Sequence, residues 1–204
     1  MIPELEPPVL LRERQREMQA EAPYCGLGFL KAKLDRNVHR RLLAHFHANA
    51  TLFRPEPSID EIGNADPGTI PVLLFEDKDF NVQLGAILRA AHEAWAGMPL
   101  ELSYCYGIRV YQRGTFLHTH VDRPTHVISS TICIDCALDS PWPLHVESID
   151  GEVSQIDLAP GELIFYEGAR LAHGRPYSLP GDYYAAIFVH YRPIGWHATP
   201  AHSR

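Results

Sequence analysis

From residue 100 onward the chain is interrupted too often to form helices. The runs ELSYCYGIRVY, HVISSTICI, LHVESI, EVSQIDL, ELIFYEG and YYAAIFVHY are rich in aromatic and β-branched residues. Turn signals part them, among them Asp150-Gly151 of the hairpin type and Pro160-Gly161. About eight short strands with no helical period between them fold as a sandwich or barrel of the jelly-roll kind. The expected fold class is therefore α+β with a β core: a double-stranded β-helix, the jelly-roll or cupin-like barrel, over residues 100–193.

Residues 1–99 read as helical support plus edge strands. Residues 9–20 make a short charged helix. Asp35 caps a second, in which Val38, Leu42 and Phe46 recur every four positions on one apolar stripe. Asp79 caps a third, whose stripe is Leu84, Leu88, Ala91 and Trp95, ending near Gly97 and Pro99. Between them, 54–70 is rich in proline and glycine and reads as a long loop. With 204 residues and no linker or repeat, the chain is expected to form a single domain, with the N-terminal helices flanking the barrel.

Charge narrows the partners. Eighteen basic against 25 acidic residues give a net charge of −7, which disfavours nucleic acid as a partner. No apolar stretch approaches the roughly 20 residues that cross a bilayer, and no secretory pattern opens the chain, so a cytoplasmic protein is expected. Cys25, Cys105, Cys133 and Cys136 do not form a disulfide scaffold. Cys133-Ile-Asp-Cys136 lacks the second pair of a zinc site and reads as core cysteines.

The segment LHTHVDRPTH, 117–126, holds His118, His120, Asp122 and His126. On a regular strand the first three share a face, and neighbours on it lie ~6.6 Å apart, close enough to grip one ion. Residues four apart are ~13 Å away, too far without a bend. The ligand pair is then His118 with His120, or His120 with Asp122. A glutamate a few residues later would favour the first pair as a cupin site, but none follows before Glu147. The second pair suits a facial triad of two histidines and one carboxylate, which leaves open positions on ferrous iron. Its third ligand comes from His126, His145, His173, His190 or His197. His173 stands out because it follows a Pro-Gly turn and an apolar strand.

The ordered set resembles the Fe(II)- and 2-oxoglutarate-dependent dioxygenases, most closely their prolyl-4-hydroxylase-like branch. Tyr111, Gly114, His120 and Asp122 match one motif; Pro160, Gly161, Phe165, His173, Gly174 and Gly181 match the other. The resemblance covers roughly residues 101–193. It implies that His120, Asp122 and His173 hold Fe(II), that Tyr111 touches 2-oxoglutarate, and that O2 is the oxidant. Oxidative decarboxylation to succinate and CO2 would drive hydroxylation of an unactivated C–H. The retained carboxylate Asp122 favours hydroxylation or desaturation over halogenation.

The chain departs from the family where a Lys or Arg should clamp the far carboxylate of 2-oxoglutarate, for Asp182 and Tyr183 stand there. Arg175 is the first replacement, Arg109 the second, and Tyr183 can assist either. His118, Arg123 and Trp142 are candidates for the substrate pocket. The expected substrate is a small molecule such as an amino acid or related metabolite. A prolyl or other peptidyl substrate is the first alternative, and a non-catalytic β-barrel metal or ligand binder the second.

Overall fold

The computed structural model describes residues 26–56, 61–65 and 71–196. The helix expected at 9–20, Cys25 and His197 lie outside them.

Among the described residues, thirteen strands and two α-helices follow in the order β1 (Phe29–Lys33), α1 (Arg36–Ala48), β2 (Arg54–Pro55), β3 (Ile62–Asn64), β4 (Val72–Phe75), α2 (Lys78–Ala96), β5 (Leu100–Cys105), β6 (Ile108–Gln112), β7 (Thr115–His120), β8 (Ile128–Leu138), β9 (Leu144–Glu147), β10 (Val153–Ile156), β11 (Glu162–Tyr166), β12 (His173–Arg175) and β13 (Gly181–Pro193), with a short 3-10 turn at Ala50–Leu52. The major sheet runs β1-β11-β8-β13-β6-β4-β2, with β5 also paired to β13; the minor sheet runs β10-β9-β12-β7-β3. The pairings between strands are antiparallel. Two facing antiparallel sheets with few helices are the jelly-roll arrangement. The segment read as one long loop at 54–70 contributes two short strands, β2 and β3, to the sheet edges.

Alternation along β8 and β13 divides the core in two. Ile128, Ile132, Ile134, Ala185, Ile187, Val189 and Tyr191 face the helices, where Leu42, Leu84 and Leu88 meet them. Cys133, Tyr184 and Ala186 face the minor sheet and pack with Leu144, Val146 and Ile164. The cysteines Cys105, Cys133 and Cys136 are free thiols, and the first two are buried.

Asp35 Oδ1 caps α1 by accepting from the amides of Asn37 (2.9 Å) and Val38 (3.2 Å). The cap of α2 is Asp77, whose Oδ1 accepts from Phe80 N at 3.0 Å, and Asp79 sits in the first turn. Both aspartates suit a helix start; the one three residues before the buried Phe80 takes the cap, because that places Phe80 and Leu84 on the sheet. The buried stripe then continues through His92 and Ala96, leaving Ala91 exposed. His92 is buried with both ring nitrogens engaged, Nδ1 on Leu88 O and Nε2 on Ser130 Oγ, each at 2.9 Å. Among the described residues no helix is long and apolar enough to cross a membrane.

Candidate active site

His120 ends β7 and His173 opens β12, and the two stand opposite one another in the antiparallel register. The register is irregular: Arg175 pairs with Leu117, so three steps on β7 face two on β12. This bulge breaks strict alternation. Leu117 and His120 both line the cavity between the sheets, while His118 is not part of it and packs edge-on against Phe116, 4.9 Å between rings. The expectation that His118 shares the ligand face therefore fails. Only its backbone serves the site, since His118 O accepts from His120 Nδ1 at 2.8 Å.

His173 is held the same way, Nδ1 donating to Leu171 O at 2.8 Å. A carbonyl can only accept, so both Nδ1 atoms carry the proton and both Nε2 atoms keep a lone pair. Asp122 lies just past β7, fixed by its amide on Gly168 O at 2.8 Å. One ligand atom from each of His120, Asp122 and His173 lies within 4.8 Å of the others, and His173 Nε2 is 3.8 Å from Asp122 Oδ1. The other oxygen, Oδ2, accepts from Ser129 Oγ at 3.1 Å, and Ser129 Oγ is 2.8 Å from His190 Nδ1. Gly168 makes room for that carboxylate: a Cβ there would lie 2.1 Å from Asp122 Oδ2.

Burial pushes His173 down to about 4; burial, then the neighbouring His173, does the same for His120. Burial raises Asp122. Two neutral imidazoles with converging lone pairs and a desolvated carboxylate are the donor set of a divalent metal, with the second carboxylate oxygen already engaged elsewhere. The residues fit the ion.

The triad opens on a cavity of about 300 Å³. Tyr111, Arg175, Tyr184, Tyr166 and Thr131 are among the residues that line it. Arg175 is buried, its guanidinium 4.5 Å from the rings of both Trp142 and Tyr184. It donates to Trp142 O and, at 3.0 Å, to Tyr184 Oη, and it forms no ion pair with any carboxylate among the described residues. A buried cation without a counter-charge, beside two tyrosines and within one cavity of a metal triad, fits the far carboxylate of a small diacid.

The other sequence candidates separate clearly. Arg109 lines the cavity but is engaged by Glu56, Nε to Oε2 at 2.8 Å and Nη2 to Oε1 at 2.6 Å. Tyr183 is outside the cavity. Its hydroxyl donates to Asp135 at 2.8 Å and its ring packs near Phe46 of α1, because alternation on β13 turns Tyr184 inward instead. Trp142, expected in the substrate pocket, does not line the cavity: it is buried against Tyr111 and Tyr184, with Nε1 on Tyr177 O at 2.7 Å. Arg123 does line the cavity, at an exposed position.

Of the histidines considered as third ligands, His126 and His190 also reach the cavity, stacked on each other at 4.2 Å. His145 does not. Missed from sequence were Tyr184, Tyr166, Thr131, Ser129 and Glu56, while His190, considered as a ligand, instead meets Ser129. The parity of β8 and β13 carried the signal for Ser129, Thr131 and Tyr184; nothing local marked Glu56.

No family model matches the chain, and no curated protein matches it in sequence. Solved structures do. A prolyl-4-hydroxylase of Pseudomonas putida superposes with a TM-score of 0.55 at 19% identity, over 81% of this chain and 92% of the other. HygX of Streptomyces hygroscopicus, with nickel, 2-oxoglutarate and hygromycin B bound, gives 0.59 at 13% identity, over 84% and 85%. The non-heme alpha-ketoglutarate-dependent epimerase SnoN from nogalamycin biosynthesis gives 0.61 at 12% identity, over 89% and 84%. The chain has the fold of these enzymes.

Proposed function

We propose that the protein is an Fe(II)- and 2-oxoglutarate-dependent oxygenase that hydroxylates an unactivated C–H of a small molecule, the chain working as one domain in the cytoplasm. The observation that carries this is the convergence of His120, Asp122 and His173 on one point at the wall of a cavity that also holds the buried cation Arg175. His120 Nε2, His173 Nε2 and an Asp122 oxygen hold the metal. Arg175, with the Tyr111 and Tyr184 hydroxyls, receives the far carboxylate of 2-oxoglutarate. This guanidinium comes from β12 rather than from β13, which restores the charge missing at Asp182 and Tyr183. Bound iron supplies the activation of O2, coupled to conversion of 2-oxoglutarate to succinate and CO2.

The chain's own residues do the rest. Leu171 O and His118 O fix the imidazole tautomers, Ser129 occupies Asp122 Oδ2, and aromatic walls from Tyr166, Tyr184 and Phe188 keep bulk water from the reacting centre. A cavity of about 300 Å³ shared by a co-substrate and a substrate suits a small molecule better than a protein partner.

The test is to add Fe(II) and 2-oxoglutarate without oxygen, record the visible charge-transfer band, then admit O2 and assay succinate. Band and succinate are expected. Neither appearing would sink the reading.

A further inference from the structure

Cys133-Ile-Asp-Cys136 plays no part in the site described above. On a regular strand, residues three apart face opposite sides and lie roughly 10 Å apart, too far to bridge. The register between β8 and β13 is not regular here. Tyr184 pairs with Cys136, Ala185 with Asp135 and Ala186 with Cys133, so three steps on β8 meet two on β13. The bulge turns Ile134 and Asp135 to the same side: Ile134 packs in the core that α1 and α2 cover, and Asp135 takes the Tyr183 hydroxyl. Cys133 and Cys136 both turn inward, into the cluster with Tyr184 and Leu144. Two steps on β13 span roughly 6.6 Å, within the Cα separation that a disulfide accepts. The two thiols hydrogen-bond to one another, and Cys133 Sγ also meets the Tyr184 hydroxyl. That hydroxyl accepts from Arg175 Nη2 at 3.0 Å. A line of contacts thus runs from Cys136 through Cys133 and Tyr184 to the guanidinium assigned to 2-oxoglutarate.

We infer that Cys133 and Cys136 form an oxidative modification site, which a hydroperoxide converts to a disulfide and which, once closed, weakens the hold of Arg175 on 2-oxoglutarate. The second half of the inference rests on the oxygenase reading above. Cys133 is buried and Cys136 only partly so, and the peroxide therefore meets Cys136 first. Its sulfur attacks one peroxide oxygen: an S–O bond forms, the O–O bond breaks, and the departing hydroxide takes the thiol proton as water. The Cys133 sulfur then displaces the hydroxyl from Cys136. An S–S bond forms, the S–O bond breaks, and the Cys133 proton leaves with that hydroxyl as a second water. Each sulfur is oxidised by one electron and the peroxide is reduced by two. Burial pushes Cys133 up to about 12 and raises Cys136 as well, so neither thiolate is favoured in the reduced pair. The first step is therefore slow, and the disulfide, once formed, is not readily reopened, because no stabilised thiolate draws it back. The pair records sustained peroxide rather than exchanging with passing thiols. Drawn to Cys136, the Cys133 sulfur leaves the Tyr184 hydroxyl without that partner. The hydroxyl, and the Arg175 Nη2 bonded to it, are then no longer held in place.

The test uses the full chain, metal-free, treated with hydrogen peroxide and then freed of it. In one portion the remaining thiols are alkylated under denaturing conditions and the peptides are mapped. In another, Fe(II) is added without oxygen, and the charge-transfer band gives the Kd for 2-oxoglutarate before oxidation, after it, and after excess dithiothreitol. A peptide in which Cys133 and Cys136 are joined, short of two hydrogens and closed to alkylation, is expected. The Kd is expected to rise about fivefold or more, as the loss of one hydrogen bond implies, and to return on reduction. Cys136→Ser should bind 2-oxoglutarate as the parent does, form no such link, and keep its Kd through peroxide treatment. No link between the two cysteines, a Kd unchanged when they are linked, or an equal rise in peroxide-treated Cys136→Ser would each overturn the inference. Absence of the band in the reduced parent overturns the oxygenase reading instead, and the peptide map then decides the modification site alone.

Discussion

His120 and His173 face each other across β7 and β12, and each donates its Nδ1 proton to the carbonyl two residues before it, His118 O and Leu171 O, both at 2.8 Å. The same local device on two antiparallel strands points both Nε2 atoms at the same place. His118 therefore contributes a carbonyl and not a ring. His118→Ala should leave Fe(II) affinity within a few-fold of the parent, whereas His120→Ala and His173→Ala should each weaken it beyond the roughly 10–100-fold typical of an outer-shell loss. A competition titration with a chromogenic chelator reads the difference; equal losses at 118 and 120 would contradict the geometry.

Asp122 is held from behind by Ser129 and by the absence of a side chain at Gly168. Ser129→Ala should lower metal affinity roughly 10–100-fold while changing the thermal midpoint of the metal-free protein little, because one hydroxyl is lost and no cavity of size is made. Gly168→Ala should be worse. Its Cβ would lie 2.1 Å from Asp122 Oδ2 and 2.4 Å from Ser129 Oγ, so the carboxylate must swing away. The expected result is loss of binding at a fold that still melts cooperatively, read by the same titration and by circular dichroism.

Arg175 offers a sharper contrast with Tyr183. Arg175→Ala removes the cation, and the Kd for 2-oxoglutarate should rise about 30-fold or more, the equivalent of about 2 kcal/mol for a charge-assisted bond. Arg175→Lys should recover only part, because an ammonium cannot reach Trp142 O, Tyr184 Oη and a ligand in the planar geometry of the guanidinium. Tyr183→Phe should not change the Kd, since that hydroxyl serves Asp135 on the outer face. Anaerobic titration of the charge-transfer band measures all three.

The parts of this structure that follow a regular period were legible in the sequence, and those that follow an irregularity were not. The jelly-roll class came from strand texture and turn residues, and α1 from Asp35 with its stripe of Val38, Leu42 and Phe46. Spacing and turn residues singled out His120, Asp122 and His173 among several candidates, and the resemblance to the dioxygenase motifs joined them as a set. His118 was misplaced because a bulge, created by pairing with β12, breaks alternation within β7 itself. Tyr183 and Tyr184 are adjacent, and either could face inward until the register with β8 and β6 is known. Trp142 and Glu56 sit on segments with no period at all. Their places are set by Arg175 and Arg109, residues more than thirty positions away in sequence.

His92 gives a pH dependence that is separate from the metal ligands. It is buried in α2 against Phe165 and Tyr191, and burial pushes it from 6.5 down to about 4. Above about pH 6.5 it is neutral in both folded and unfolded chains and contributes nothing to pH dependence. As pH falls through that value the unfolded chain takes up the proton first, so stability is lost, and the loss continues until pH reaches about 4. Between about pH 7.5 and about pH 5 this single group should remove about 2 kcal/mol. His92→Gln keeps an acceptor for the Ser130 hydroxyl and does not titrate. It should be less stable than the parent at the upper pH, through lost ring packing, yet should lose about 2 kcal/mol less on acidification. Urea unfolding of both proteins at the two pH values gives the comparison. Parallel losses in parent and variant would show that His92 is protonated as readily in the fold as outside it.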